Sequence, residues 1–339
     1  METPTSARTE RRGEQSHAPE QPAAAEFEPF VKAPKRRMLI IVNPYAATVS
    51  DRLRHLVVYA LKGRYDVDAV DTESRGHATV LCREAAHEGY DVVVAFGGDG
   101  TVNEAANGLL GSPTPLCALP GGSANVFAKI LGIPGELVDA TEHLLSMADD
   151  WRPRKVDVGV VNGRCFTFNS GVGLDASVVQ RVDARPHLKA RYGPYFFTAQ
   201  ALRSFTRDYI VGAPQMEVDT GTERLRGVTT IVQNAAPFTY FNDRPIDIAE
   251  GASADSGELV GAVLHRATPL GMIALSLRAL SPRARVVRHR QVTGLEHLTS
   301  LTVRSLDGRP LPLQTDGDYL GHFTEARYSI MPRALNVVA

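Results

Sequence analysis

Residues 91–107 read DVVVAFGGDGTVNEAAN, and the pattern changes twice within them. Val92, Val93, Val94, Ala95 and Phe96 form a short apolar run with three β-branched residues, which predicts a buried parallel strand. The run breaks at Gly97-Gly98-Asp99-Gly100. It resumes as a helix start at Thr101-Val102-Asn103-Glu104, where Thr101 can cap and Glu104, three residues on, completes a capping box. A strand, a glycine turn and a helix N-terminus in that order make an anion site. The glycines let backbone approach a phosphate, and the N–H groups of the first helical turn point at it. Asp99 lies inside the turn, where an anion alone would be repelled. A magnesium–nucleotide complex is the simplest ligand that wants both features. The competing reading is an ordinary strand-to-helix turn, but folding alone gives little reason for an aspartate among three glycines.

The flanking sequence repeats the alternation. Strands are expected at 38–42, 65–70 and 115–119, and helices at 51–61, 78–88, 101–110, 126–131 and 137–147. Strands alternating with helices at this spacing predict a doubly wound, mostly parallel sheet in an α/β N-terminal domain. Ligands on such sheets bind beyond the carboxyl ends of the strands. Thr72, the Gly97 loop and the loop Gly121-Gly122-Ser123-Ala124-Asn125 all fall at such ends. Asn125 could equally cap the helix that follows it.

Beyond Trp151 the signals become those of hairpins. Residues 156–161 and 164–169 flank Asn162-Gly163, a strong type I′ turn. Further strands are expected at 215–219, 226–234, 258–264, 285–292 and 299–304, with helical segments at 195–207 and 270–280. This predicts a β-rich antiparallel sandwich as C-terminal domain, with the boundary near 150 and a final segment that can return to the first domain. Residues 1 to about 36 lack apolar periodicity and read as a disordered tail.

Composition excludes several functions. Hydrophobic residues at 43% and charged residues at 22% are ordinary for a globular protein, and a net charge of −1 argues against nucleic acid as a partner. No apolar run approaches the roughly 20 residues that span a bilayer, so any membrane contact is expected to be peripheral. Cys82, Cys117 and Cys165 are far apart and suit a reducing, cytoplasmic compartment. Two basic clusters stand out in a near-neutral chain: Arg181, Arg185, Lys189 and Arg191, then Arg283, Arg285, Arg288 and Arg290. Each reads either as a solvated face or as a contact for anionic lipid.

The ordered motifs closely resemble the diacylglycerol kinase catalytic-domain family, to which bacterial soluble lipid kinases and sphingosine kinases belong. They are Gly97-Gly98-Asp99-Gly100-Thr101-x-Asn103-Glu104, Pro120-x-Gly122-Ser123-x-Asn125, Val156-Asp157-Val158-Gly159, Phe168-Asn169-x-Gly171-x-Gly173-Leu174-Asp175-Ala176, Asp255-Ser256-Gly257-Glu258-Leu259 and Gln314-Thr315-Asp316-Gly317-Asp318. The first alone would be weak, since NAD kinases and phosphofructokinases share it. The resemblance spans residues 37 to 335. It implies ATP-dependent phosphorylation of a lipid hydroxyl, commonly diacylglycerol to phosphatidic acid, with Mg²⁺, at a membrane surface.

The resemblance also implies roles. Nucleotide contacts fall on Thr72, Gly97, Gly98, Asp99, Gly100, Thr101, Asn103, Glu104, Gly122, Ser123 and Asn125. The catalytic base falls on Asp318, with Asp316 beside it and Asp99 at the phosphates. Metal ligands fall on Asp99 and, for a second structural ion, on Asp255, Ser256 and Glu258. Three departures are visible. Asn43-Pro44-Tyr45-Ala46-Ala47 lacks the family's glycine, Ser256 stands where most members have aspartate, and Asp318 replaces glutamate. The alternatives are a soluble-substrate kinase of the NAD-kinase type and a nucleotide- or lipid-binding protein without transfer. A homodimer is left open.

Overall fold

The computed structural model describes residues 35–339 except 149, 186–187, 189–195, 197–198, 210–211 and 242. The tail expected at 1–36 therefore lies, up to residue 34, outside the described residues, as do Lys189 and Arg191 and part of the helical segment expected at 195–207. The described end of that segment closes in a π turn, Phe205–Tyr209.

The first half alternates as the sequence dictates. Strands β1 (Arg37–Val42), β2 (Asp66–Asp71), β3 (Val92–Gly97) and β4 (Leu116–Pro120) are parallel, in the order β2-β1-β3-β4. Helices α1 (Asp51–Lys62), α2 (His77–His87), α3 (Asp99–Leu109), α4 (Val126–Ile130) and α5 (Leu137–Ser146) connect and follow them. Helix α1 packs beside α5 and α2 beside α3, which covers the sheet in two helical layers. Both faces of the strands are therefore buried, and β3 and β4 are apolar without alternation. The order reverses between β1 and β3. At such a switch point the loops leaving the two strands diverge and open a crevice.

The second half is built from β5 (Arg154–Val161), β6 (Arg164–Phe166), β7 (Asn169–Gly173), helix α6 (Leu174–Asp183), β8 (Met216–Asp219), β9 (Arg224–Gly227), β10 (Thr229–Gln233), β11 (Thr239–Phe241) and β12 (Arg244–Ile246). It continues through β13 (Leu259–Leu264), helix α7 (Pro269–Ala279), β14 (Val292–Leu298), β15 (Ser300–Ser305), β16 (Leu311–Thr315), β17 (Asp318–Phe323) and β18 (Glu325–Val337). An antiparallel sheet runs β14-β13-β10-β7-β16-β17, and β11-β12 form a separate hairpin. The first sheet continues past β4 as β18-β15-β8-β9, with β5 paired to both β18 and β6. Strand β18 returns alongside β4 at Val337, opposite Leu116. The turn between β5 and β6 has positive φ at both Asn162 and Gly163, the type I′ form its sequence demands.

Three strand expectations need correction: the run 164–169 stops at Phe166, and Asn169 already belongs to β7 in the other sheet. The run 226–234 is two strands in different sheets: the Val228 N–H donates to the Leu264 carbonyl at 2.8 Å, and the chain crosses there. A Cβ at Gly227 would lie 2.6 Å from Val263 Cγ1, so the crossing needs glycine. The run 285–292 is a 3₁₀ turn, Val286–Arg288, with the strand starting only at Val292. There His289 donates to Val286 O and Val292 to His289 O, taking donors a ladder would need.

Candidate active site

A cavity of about 440 Å³ opens at the switch point. One wall is glycine backbone. Helix α3 starts at Asp99 rather than Thr101, because Gly98 takes the cap position in extended conformation and its carbonyl accepts the Val102 N–H at 3.1 Å. The expected capping box is therefore absent. The loop after β4 touches this turn backbone to backbone: a Cβ at Gly122 would lie 2.6 Å from Gly98 Cα, and one at Gly121 would lie 3.0 Å from Gly97 Cα. A Cβ at Gly100 would lie 2.9 Å from Asp318 Oδ2, and one at Gly97 would meet Thr101 Oγ1 at 2.5 Å. Only glycine permits this approach, and it leaves main chain from two loops facing one space.

Asn125 does not cap α4 with its side chain. It sits at φ 49°, and its amide closes the loop on itself, accepting from Gly122 N at 2.8 Å and donating to Gly122 O at 2.9 Å. The α4 N-terminus is capped from the neighbouring loop, where Asp99 Oδ1 accepts the Phe127 N–H at 3.1 Å. Asp99 thus couples the two loops as well as lining the cavity. Ser123 lines it too and is exposed. From β1, Asn43 Nδ2 donates to Thr101 Oγ1 at 3.1 Å, and Tyr45, Ala46 and Ala47 complete this side. Thr72 is held by backbone, its N–H on Val42 O at 2.8 Å, and is not in the cavity wall.

Asn103 and Glu104, expected at the nucleotide, are buried and put to other uses. Glu104 accepts from Gly76 N at 2.7 Å and Ala78 N at 3.3 Å, so its carboxylate satisfies the start of α2, which has no cap of its own. Asn103 Nδ2 donates to Cys165 O at 2.9 Å and to Asp316 Oδ2 at 2.8 Å, while its Oδ1 accepts from Arg164. These contacts lock α3 to β6 and to the loop after β16.

The three carboxylates of the second half divide the work. Asp316 is 3% exposed and left-handed at φ 48°. Its oxygens accept from Thr167 N and Oγ1, Phe168 N, Asn169 N and Asn103 Nδ2 at 2.6–3.0 Å. Burial raises its pKa against these donors. With five donors it has no spare lone pair for a proton in transit, and what it does is fix the turn that carries Asp318. Asp318, two residues on, lines the cavity against Gly100, with the Arg75 guanidinium 3.8 Å from Oδ2. Arg75 also donates to Tyr319 O at 2.9 Å. Asp175 accepts from Gln314 Nε2 at 2.7 Å, and burial pushes its carboxyl up to about 6 although Gln314 opposes the shift. The same Gln314 amide reaches Asn169 Oδ1 at 2.9 Å, and Gln314 Oε1 accepts Gly317 N.

The cavity also has an apolar wall. Phe168, Val178, Val179, Phe238, Phe241 and Ile246 line it, with the Tyr240 ring. The β11-β12 hairpin supplies three of these and is fastened to α4 by Lys129, which pairs with Asp243 at 2.8 Å and lies over the Tyr240 ring at 4.5 Å. Of this wall, sequence reading named only Phe168, inside a motif, and it did not name Arg75. The other apolar residues carry no motif, and Arg75 meets Asp318 only because β17 returns to the end of β2.

The residues expected at a second ion hydrogen-bond within their own loop and to His297. Ser256 Oγ donates to Ser253 O and Glu258 O, Asp255 takes the Ser253 hydroxyl, and Glu258 pairs with His297 at 2.6 Å. The loop is pinned instead by buried Asp157, which accepts Gly257 N at 2.6 Å and Arg333 N at 2.7 Å. Among the described residues no three His, Cys, Asp or Glu side chains converge as a metal site.

Residues 37–161 match the diacylglycerol kinase catalytic domain, and residues 169–339 match the YegS C-terminal NAD kinase β-sandwich-like domain. Curated diacylglycerol kinases of Staphylococcus aureus are 32% identical over 167 residues, 48% of this chain and 51% of theirs, so the chain spans about half the length of the curated relatives it matches. A solved Bacillus anthracis chain superposes with a TM-score of 0.70 at 23% identity, over 91% of this chain and 98% of that one. A Bacillus anthracis diacylglycerol kinase structure does so at 0.65 and 20%, over the same shares. At these identities the structural likeness speaks for the fold.

Proposed function

The chain belongs to the diacylglycerol kinase catalytic-domain family with its YegS-type C-terminal domain, and from that membership we propose that it is an ATP-dependent lipid kinase acting at a membrane surface, with diacylglycerol as acceptor and phosphatidic acid as product. The observation that carries this reading is one cavity lined both by glycine backbone and by aromatic and aliphatic side chains, with Asp318 in its wall against Gly100. A polyphosphate suits the glycine backbone and an acyl-bearing alcohol the apolar side chains.

In the proposed reaction the acceptor hydroxyl attacks the γ-phosphorus. The new O–P bond forms as the bond to the β–γ bridging oxygen breaks, ADP departs, and Asp318 takes the hydroxyl proton. Asp318 is shorter than glutamate, and its placement against Gly100 puts it beside the phosphate wall. The main-chain N–H groups of the α3 start hold the phosphates, and Asp316 fixes the turn that carries Asp318. A single carboxylate in a glycine cradle fits Mg²⁺, which keeps most of its shell as water and substrate phosphate, so Asp99 would hold it. When bound, the ion offsets charge on the phosphoryl oxygens.

The test is a screen with γ-labelled ATP against diacylglycerol, a sphingoid base and NAD, with mass spectrometry of the product. Label on diacylglycerol supports the proposal. Label on NAD alone moves the chain to the soluble-substrate class, and ATP binding without any transfer moves it to the non-catalytic one.

A further inference from the structure

Helix α7 carries apolar residues on its outer face as well as its inner one. Thr268 caps it, accepting Gly271 N at 3.2 Å, and Pro269 starts it. Its inner face, through Met272, Leu275 and Ala279, packs on a core containing Leu174, Leu264 and Val286. The outer face should be polar in a helix that only borders water. Instead Leu270 is 82% exposed, Ile273 60% and Leu277 65%, and Leu280, just past the end, is 52% exposed. Spacings of three and four residues put these on one stripe. Ser276 is the only polar residue among them, and the one charged side chain of the helix, Arg278, is turned away to donate to Arg285 O at 3.2 Å.

A basic rim follows directly. Arg283, Arg285, Arg288 and Arg290 are all exposed. Arg285 pairs with Glu250 at 2.7 Å, whereas Arg283, Arg288 and Arg290 make no ion pair among the described residues. An apolar stripe flanked by unpaired arginines suits an interface with acyl chains inside and anionic headgroups at the boundary. The same core under α7 holds Leu174, next to cavity-lining Asp175, and packs against Ile248, two residues past cavity-lining Ile246. The stripe and the apolar wall of the cavity are thus raised on adjoining segments. No helix among the described residues is long and apolar enough to cross a membrane, so contact through α7 would be interfacial.

We propose that α7 is the membrane-docking element, lying in the surface of an anionic bilayer with Leu270, Ile273, Leu277 and Leu280 among the acyl chains and Arg283, Arg288 and Arg290 on the headgroups. This deepens the lipid-kinase reading and rests on it for the choice of a bilayer over a protein partner.

Flotation of the full chain with phosphatidylcholine vesicles, with and without phosphatidylglycerol, tests it. The wild type should bind the anionic vesicles, and added salt should weaken the binding. L270S/L277S should lose at least about 10-fold in vesicle affinity, as expected for removing two inserted leucines. R283E/R288E should lose affinity for anionic vesicles only. Both should keep the wild-type melting temperature and the wild-type rate on short-chain diacylglycerol dispersed as monomers. L270S/L277S that still floats like wild type would overturn the docking surface. So would a wild-type dimer that this variant splits without changing vesicle binding, because the stripe would then be covered by a second copy. Vesicle binding that depends on α7 in a protein that phosphorylates no lipid would leave the docking surface standing and refute the lipid-kinase reading.

Discussion

Asp99, Asp175 and Asp318 all line the same cavity, yet their surroundings give them different chemistry. Asp99 accepts from Phe127 N, so removing its carboxylate outright would also remove a helix cap worth about 1 kcal/mol. Asp99→Asn separates the two roles, because the amide oxygen still accepts that bond. We expect turnover to fall by about 10²-fold or more with the denaturation midpoint unchanged; full activity in this variant would place the metal-binding charge elsewhere. Asp175 is the reverse case. Burial raises its folded pKa from 3.8 to about 6, so the native state holds a proton that the unfolded chain releases earlier. The contribution is fully present below about pH 4 and is lost as pH rises through 6, on the order of 3 kcal/mol in all. The wild type should therefore lose stability relative to Asp175→Asn across that window, measured by thermal melts at stepped pH. Parallel curves for the two proteins would show that the group stays ionised in the fold.

At the level of elements, the strand β3, its glycine turn and helix α3 were legible in sequence because their signals are local: a β-branched run, a Gly-Gly-Asp-Gly break and helical spacing. The use of individual side chains at the helix start was not. Glu104 follows Thr101 at capping-box spacing, but Gly98 starts the helix earlier and Glu104 turns to the bare N-terminus of α2. That partner lies 28 positions away in sequence, and only the packing of α2 on α3 supplies it. Glu104→Ala should accordingly cost about 1–3 kcal/mol of stability by denaturant titration while leaving the activity of folded molecules intact. Lost activity without lost stability would restore it to the nucleotide. Contact between the two glycine loops makes a sharper case. Gly122→Ala puts a methyl 2.6 Å from Gly98 Cα, a backbone atom that cannot swing aside. We expect a loss of about 1–3 kcal/mol and a weaker ATP affinity by calorimetry. Wild-type affinity would show that the loops separate without consequence.

Across the whole molecule, the order β2-β1-β3-β4 places the crevice, and the antiparallel sheet brings Asp318 to it from more than 200 residues away in sequence. The α/β half, the β-rich half and the two glycine loops could be read from pattern. The apolar wall could not, because Phe168, Val178, Phe238 and Ile246 come from four separate segments with no common spacing. Nor could Arg75, whose meeting with Asp318 is a product of topology, or the division of labour between Asp316 and Asp318, which look alike in sequence and differ in burial and donors. The most direct measurement is the rate at which wild type and Asp318→Asn transfer label from γ-labelled ATP to diacylglycerol, with ATP affinity measured alongside. The expected result is labelled phosphatidic acid from the wild type and, in the variant, an undiminished ATP affinity with kcat lower by about 10²–10⁴-fold. An unchanged kcat, or a wild type that leaves diacylglycerol unlabelled, would contradict it.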